Sequence, residues 1–347
     1  MDKGNFTVKF NTSTYGSALA TYVRCGLLVQ GFYHKNGYIP ATAHFLGNTK
    51  AIGFPDIDYQ KFSHFWKKIK RFKIDTFPTD KSLLNFLEER IDMSPYKKRI
   101  SEQRKRLEKF WYSISNEFIA SLYELYPDFQ RKNISIKVYI TPFGSKGGFS
   151  CPNSLKNHKI NAYSYARIDM PKSKFIEALF SCLLSKHLLK TFSWEQKEAI
   201  LDYLTKTFLK NNKISSRFVP TIKTVCKTEI NRKLLLNSLA FLSKNNLRPH
   251  QFLTLDGDGE MQCLGKDLRQ RYFSKELDLL KTFLTKSPPI LSYDDIATIL
   301  WKEDIQEKFS LWAINKRMQR LRNKLIAEGL PKIALLTVRN VGYYLNN

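Results

Sequence analysis

The residues whose types and spacing carry the most chemistry lie in the last tenth of the chain. Met318-Gln319-Arg320-Leu321-Arg322-Asn323-Lys324-Leu325 is cationic with apolar residues at helical spacing, and Thr337-Val338-Arg339-Asn340-Val341-Gly342-Tyr343-Tyr344 follows as two short strand-forming runs about a turn. Between Lys308 and Ile326 stand six cations (Lys308, Lys316, Arg317, Arg320, Arg322, Lys324) and no acid. The spacing turns Ile314, Met318, Leu321 and Leu325 toward a core and leaves residues 316, 317, 320 and 324 on one face. An arginine pairs bidentately with a guanine edge, a neighbouring lysine or arginine holds phosphate, and Gln319 can pair with adenine. Arg322 has a second option, an internal salt bridge. A basic helix followed at once by a hairpin with an arginine in its turn is how a winged helix meets duplex DNA. The helix lies in the major groove, and the hairpin tip reaches the backbone or the minor groove.

The elements that must position these residues begin near Phe252. Phe252-Leu253-Thr254-Leu255 and Met261-Gln262-Cys263-Leu264 flank Asp256-Gly257-Asp258-Gly259, a hairpin pattern. Leu277, Leu279, Leu280, Phe283 and Leu284 predict a helix over Ser274 to Thr285. Ser287-Pro288-Pro289 breaks the chain, and Ser292 caps a helix from Tyr293 to Trp301 with Asp294 and Asp295 in its first turn. The basic helix is expected from Phe309 to Ala327, and Ile333 to Val338 and Gly342 to Leu345 form the closing hairpin.

Upstream, Phe6 to Phe10 alternates like a strand, and residues 1–55, punctuated by Gly26, Gly31, Gly37, Gly47 and Gly53, predict short strands and turns. Basic patches stand at Lys67-Lys68-Ile69-Lys70-Arg71-Phe72-Lys73 and from Lys97 to Lys109. Leu107, Trp111, Ile114, Phe118, Leu122 and Leu125 make an apolar stripe on a helix expected from Ser101 to Tyr126, either a buried face or a short dimerising coiled coil. Ile134 to Ile140 and Ile160 to Ile168 are expected strands. Lys172 to Lys190, Ser193 to Leu209 (Ser193 and Gln196 forming a capping box) and Thr221 to Ser243 are expected helices. A break at Asn245-Asn246-Leu247-Arg248-Pro249 is the expected domain boundary. The fold class is α+β and multidomain: a basic α+β region over 1–130, an α/β region over 131–245, and a C-terminal winged helix-turn-helix over 250–347.

The chain has 347 residues, 43% hydrophobic, and a formal net charge of +26, which describes a folded protein with a polyanionic partner. The charge is uneven. Residues 251–347 hold 15 Lys and Arg against 12 Asp and Glu, a net of +3, leaving 42 against 19 and +23 for residues 1–250. The C-terminal segment is locally polarised, and the remainder supplies a field that steers without reading sequence. Lys67, Lys68, Lys70 and Arg71 are candidate nonspecific phosphate contacts. Cys25, Cys151, Cys182, Cys226 and Cys263 form no C-x-x-C pair. With neither a signal peptide nor a membrane-length apolar run, a cytoplasmic protein with reduced thiols is expected.

The order of hairpin, three helices and closing hairpin resembles the effector domain of OmpR/PhoB-type response regulators over about a quarter of the chain. That family ends with Leu-Arg-x-Lys-Leu in its recognition helix and Thr-Val-Arg-Gly-x-Gly-Tyr in its wing. Here stand Leu321-Arg322-Asn323-Lys324-Leu325 and Thr337-Val338-Arg339-Asn340-Val341-Gly342-Tyr343. Ala297-Thr298-Ile299-Leu300-Trp301 and Glu276-Leu277-Asp278-Leu279-Leu280 also fit. The resemblance implies DNA contacts at Arg317, Gln319, Arg320 and Arg322 on the helix and Thr337 and Arg339 on the wing; Lys316 and Lys324 join them on charge. Asn340 replaces the family's wing glycine, which asparagine's tolerance of left-handed backbone permits. Lys316 replaces a position that is usually apolar, altering helix docking or adding a phosphate contact. The family's phosphoacceptor domain needs an acidic pair, an aspartate and a lysine after successive strands, and these are not found in residues 1–250.

A second resemblance covers residues 134–205. Tyr139-Ile140-Thr141-Pro142-Phe143-Gly144, a glycine turn, Arg167-Ile168-Asp169 and Glu177-Ala178-Leu179 look like parts of a small zincin metallopeptidase. Such a helix carries His-Glu-x-x-His, two histidines holding zinc and a glutamate activating water. The corresponding turn is Phe180-Ser181-Cys182-Leu183-Leu184, and His187 has no partner three or four residues away. That implies a pseudo-peptidase kept for binding. Gly144-Ser145-Lys146-Gly147-Gly148 is a basic turn, not a phosphate-binding loop, and closes a hairpin or touches phosphate. No catalytic residue, metal or cofactor is expected. The expected partner is double-stranded DNA, with RNA polymerase and a second copy of the chain as further candidates, and no membrane. The function expected is sequence-specific transcriptional regulation without a receiver domain. The rivals are a nonspecific architectural nucleic-acid binder driven by the basic N-terminal region, and a winged helix used for protein contacts.

Overall fold

The computed structural model describes residues 4–48, 50–71, 80–150, 159–216, 218–221, 228–247, 251–305 and 309–347. Cys151, Cys226, His158, His250, Lys308, the Phe72-Lys73 end of the first basic patch, Arg248-Pro249 of the expected boundary and residues 222–227 of an expected helix lie outside them. In chain order the elements are β1 (Phe6–Asn11), α1 (Thr14–Val29), α2 (Phe32–Lys35), β2 (Ile39–Thr42), β3 (Ala51–Phe54), α3 (Phe65–Ile69), α4 (Lys81–Arg90), α5 (Lys97–Leu125), β4 (Asn133–Thr141), β5 (Gly147–Ser150), β6 (Lys159–Arg167), α6 (Lys172–Leu188) and α7 (Trp194–Asn211). They continue as β7 (Glu229–Ile230), α8 (Arg232–Lys244), β8 (Leu253–Leu255), β9 (Met261–Cys263), β10 (Lys266–Asp267), α9 (Ser274–Thr285), β11 (Ile290–Ser292), α10 (Tyr293–Trp301), α11 (Leu311–Ala327), β12 (Leu335–Val338) and β13 (Gly342–Leu345). Among the described residues no helix is long and apolar enough to cross a membrane. The chain divides into two compact units, Met1–Gln30 with Pro40–Thr224, and Gly31–Ile39 with Val225–Asn347.

The first unit is a sheet with helices on both faces. Its strand order is β1-β4-β6-β5; β1, β4 and β6 run parallel, and β5 pairs antiparallel with β6. Ile134, Ile136, Val138 and Ile140 join one core with α5 and α6, where Phe6 stacks on Trp111 at 6.0 Å and Phe118 meets Phe180 at 4.8 Å. The alternate residues meet α1: Ser17 Oγ donates to Thr141 Oγ1 at 3.0 Å, and a Cβ on Gly16 would come within 2.1 Å of the Tyr139 ring. The expected division at 130/131 falls between β1 and β4, two strands paired along their length.

One expectation is corrected here, and one choice is decided. Residues 1–55 do not form only strands and turns, because Thr14–Val29 is a helix whose Ser13 cap accepts from Gly16 N at 3.2 Å. Its residues 16–27 are all buried, so the helix shows no polar face to betray its period, and its glycines are contact points rather than turn signals. The stripe on α5 is a buried face and not a coiled coil: Leu107, Trp111, Ile114, Phe118 and Leu122 are spent on this core. Ser193 and Gln196 do form the capping box expected of α7.

The heaviest bonding in the unit centres on Arg167, which is 1% exposed. Its Nε donates to Asp169 Oδ1 at 2.6 Å, Nη1 to the carbonyls of Ala51 and Gly144, and Nη2 to the Asn48 carbonyl and Asp169 Oδ2. It ties the end of β6 to β3 and to the glycine turn. The turn of α6 at Phe180 to Leu184 is packed into the core, with the Cys182 thiol donating to the Tyr163 carbonyl at 3.5 Å. His187 is exposed and edge-on to the Tyr126 ring. Among the described residues no group of three His, Cys, Asp or Glu is placed to hold a metal.

In the second unit β8, β9 and β10 form an antiparallel sheet, and β11, β13, β12 and β7 a second one. α9, α10 and α11 bury Leu279, Leu280, Phe283, Ile296, Leu300, Ile314, Met318, Leu321 and Leu325 between them. Ser292 and Asp295 form a capping box at the start of α10, and the Ser310 hydroxyl accepts from Ala313 N at the start of α11. The expected helix from Thr221 to Ser243 is corrected at residues 229–231. Glu229 and Ile230 form β7, parallel to β12, and Asn231 then caps α8. A strand of two residues leaves no periodicity to read.

Candidate nucleic-acid interface

α10 and α11 pack as a helix-turn-helix, and the β12–β13 hairpin stands beside α11. Ile314, Met318, Leu321 and Leu325 anchor α11, while Trp312, Lys316, Arg317, Gln319, Arg320 and Asn323 are exposed. Arg317 and Arg320 have no hydrogen-bonding or ion-pairing partner among the described residues, so both guanidinium groups are open to a ligand. The Lys316 ammonium lies 4.5 Å from the centre of the Trp312 ring. It sits on the outward side and leaves helix docking unaltered.

Arg322 is 6% exposed and has a different role. Its Nε donates to the Leu335 carbonyl at 2.8 Å, Nη1 to Gln319 Oε1 at 2.7 Å and Nη2 to Thr337 Oγ1 at 3.1 Å. Instead of the salt bridge weighed from sequence, it makes three hydrogen bonds to neutral acceptors that join α11 to the wing. Burial lowers its pKa below the ordinary arginine value, though the group remains charged at any physiological pH. Thr337 is engaged by that bond. Gln319 accepts from Arg322 and donates from Nε2 to Asn323 Oδ1 at 2.9 Å, so it reaches a base only by giving up a bond.

Lys324 turns to α9. Its ammonium pairs with Glu276 at 2.6 Å and lies 4.6 Å from the Phe273 ring centre, which packs the foot of α9 against α11. On the wing, Asn340 adopts the left-handed backbone expected of it, with φ of 59°. Gly342 must be glycine, since a Cβ there would meet the Leu291 carbonyl oxygen at 2.1 Å. Tyr343 donates its hydroxyl to Asn315 Oδ1 at 2.7 Å, a second tie between hairpin and helix. Arg339 is exposed at the tip and pairs with Glu229 at 2.6 Å. The Thr337 amide donates to the Thr228 carbonyl, so β7 runs along the wing's outer edge. Lys67, Lys68, Lys70 and Arg71 belong to the other unit and are all exposed; the Lys68 ammonium lies 4.7 Å from the Phe62 ring centre.

The structure thus divides the eight candidates. Lys316, Arg317, Gln319, Arg320 and Arg339 present polar groups outward, while Arg322, Thr337 and Lys324 hold the frame. Trp312, which the sequence did not single out, also falls on this outward arc, four residues before Lys316. Glu229 was missed because its partner lies 110 residues away.

Residues 271–345 match the family model described as "Transcriptional regulatory protein, C terminal". The match runs from just before α9 to the end of β13, taking in α10, α11 and the wing. It identifies this segment as a winged-helix, DNA-binding effector domain of the OmpR/PhoB type. No curated protein and no solved structure matches the chain.

Proposed function

We propose that the protein is a transcriptional regulator that reads a specific sequence in double-stranded DNA with α11 and the β12–β13 wing, without a receiver domain. The observation that carries this is the exposed pair Arg317 and Arg320, without partners among the described residues, beside Lys316 on a helix anchored by its opposite face. Such arginines read guanine edges or hold phosphates, and the wing arginine adds a contact outside the major groove. The absence of a receiver is supported by the sheet of the first unit, which among the described residues has three parallel strands and an antiparallel edge, whereas receivers have five parallel strands in the order 2-1-3-4-5. RNA polymerase and a second protomer are the further partners such a regulator would engage.

The test is selection of bound sites from a random duplex pool at near-physiological salt, with wild type and an Arg317→Ala/Arg320→Ala variant in parallel. A defined motif that the variant loses is expected, with Arg320→Ala alone costing roughly 1–3 kcal/mol of discrimination. Neutralising Lys67, Lys68, Lys70 and Arg71 should weaken binding to all sequences alike and leave the motif intact. Binding without a motif, unchanged by the arginine substitutions and abolished by the lysine ones, would move the function to an architectural role of the N-terminal unit.

A further inference from the structure

The basic face of α11 begins with a residue of another chemistry. Trp312 is the second residue of the helix and is 70% exposed. Residues 312, 316 and 320 are four apart, so the indole, the Lys316 ammonium and the Arg320 guanidinium lie along one outward row. The ammonium 4.5 Å from the ring centre holds one face of the indole and limits its rotamers. The side chain is otherwise largely exposed. A large apolar surface is therefore fixed beside one cation in the first turn of the helix, with a second about 12 Å further along.

We propose that Trp312 is a specificity-determining residue that packs on the C5-methyl group of a thymine in the major groove, with Lys316 on an adjacent phosphate. The inference rests on the DNA-reading function proposed above for α11. When a recognition helix lies in the major groove, its N-terminal residues meet the base edges. The only apolar group that an unmodified base pair presents there is the thymine methyl. A tryptophan held among cations that draw it to the phosphate backbone covers that methyl and cannot reward cytosine, which lacks it. Arg320, two turns or about 12 Å further along the helix, then reads polar edges several base pairs away, so one helix row would select a thymine and a guanine at a fixed spacing.

The experiment uses the full chain and the site obtained by selection. Each thymine is replaced in turn by deoxyuridine, which removes only the methyl, and Kd is measured for wild type, Trp312→Ala and Arg320→Ala at one salt concentration. Wild type should lose about three- to fivefold at one or two positions, the value of one buried methyl group. Trp312→Ala should bind more weakly overall and be indifferent to the methyl at those positions. Arg320→Ala should bind weakly yet keep the deoxyuridine sensitivity. Because Trp312 is exposed, its alanine variant should melt with wild type, which separates lost contact from lost fold. Equal sensitivity in wild type and Trp312→Ala, or none in wild type, overturns the inference while a motif dependent on Arg320 still stands. If selection yields no motif, both the inference and the proposed function fall.

Discussion

Arg320 and Arg322 stand two residues apart with opposite surroundings, and their substitution should separate fold from binding. Arg322→Ala removes three hydrogen bonds and leaves the carbonyl of Leu335, a fully buried residue, without its donor. A buried acceptor without a partner costs about 1–3 kcal/mol, and loss of the packed stem adds to that. Relief from burying a charge offsets part of it, leaving a net loss of roughly 2–3 kcal/mol. For a unit of this size that lowers Tm by about 10 °C. Arg322→Met, which restores the stem but not the donors, should recover a minor part. Arg320→Ala, on an exposed site without partners, should leave Tm unchanged within the roughly 0.5 kcal/mol typical of such positions. It should still lose binding to the selected site. Thermal melts followed by circular dichroism and fluorescence anisotropy with labelled duplex give the two readouts. Should Arg322→Ala melt with wild type and lose binding as Arg320→Ala does, Arg322 contacts DNA directly and is not a framing residue.

Gly342→Ala places a Cβ 2.1 Å from the Leu291 oxygen, an atom of paired backbone, so the variant should lose more than about 2 kcal/mol of stability; an unchanged Tm would refute the β11–β13 packing. Burial alone would raise the Asp169 carboxyl, but its bonds to Arg167 and the Gly47 amide more than offset this and hold it below the usual carboxylate range. A carboxyl depressed in the folded state adds stability that is present above its unfolded pKa and lost as pH falls through its folded one. Asp169→Asn should therefore lower the urea midpoint at pH 7 and flatten its decline below about pH 4, and parallel curves for the two proteins would contradict it. Glu229→Gln frees Arg339 and removes an acid from the wing tip, so DNA affinity at low salt should rise by about two- to fivefold and the gain should shrink as salt is added. Unchanged affinity at low salt would mean that the tip does not approach phosphate.

The parts of the second unit that were legible in sequence are those whose causes are local. α9 begins and ends where its apolar period places it, and α10 where its Ser292 cap and first-turn acids do, because a capping side chain bonds within three residues of itself. The unread parts depend on partners distant in sequence. Residues 14–29 look like an interrupted apolar run, and only the Tyr139 ring against Gly16 explains why a glycine belongs inside that helix. β1 finds its neighbour about 130 residues on, and no local pattern reports such a pairing. Arg322 falls on the flank of α11 between the core row and the outward row. Helical spacing leaves it undecided until the Leu335 carbonyl and Thr337 arrive from the wing.

The near-neutral sum of the C-terminal segment is compatible with a strongly cationic reading face because its acids are spent elsewhere. Glu276 is paired with Lys324 at the foot of α9, Glu328 with Arg271, Asp295 with Lys286 and Asp267 with Arg269. No acid occurs between Leu311 and Ala327, the whole length of α11. At physiological salt the field of an exposed charge decays over about 8 Å, so a phosphate arriving at α11 is governed by Lys316, Arg317 and Arg320 rather than by the total over the unit. The same screening confines the cations of the other unit to steering an approaching duplex unless they touch it. On the function proposed above, discrimination between sequences must then come from contacts within a few ångströms of a base edge, and the groups placed for such contacts are on a helix whose buried arginine is bonded to the wing and whose exposed arginines are free to read.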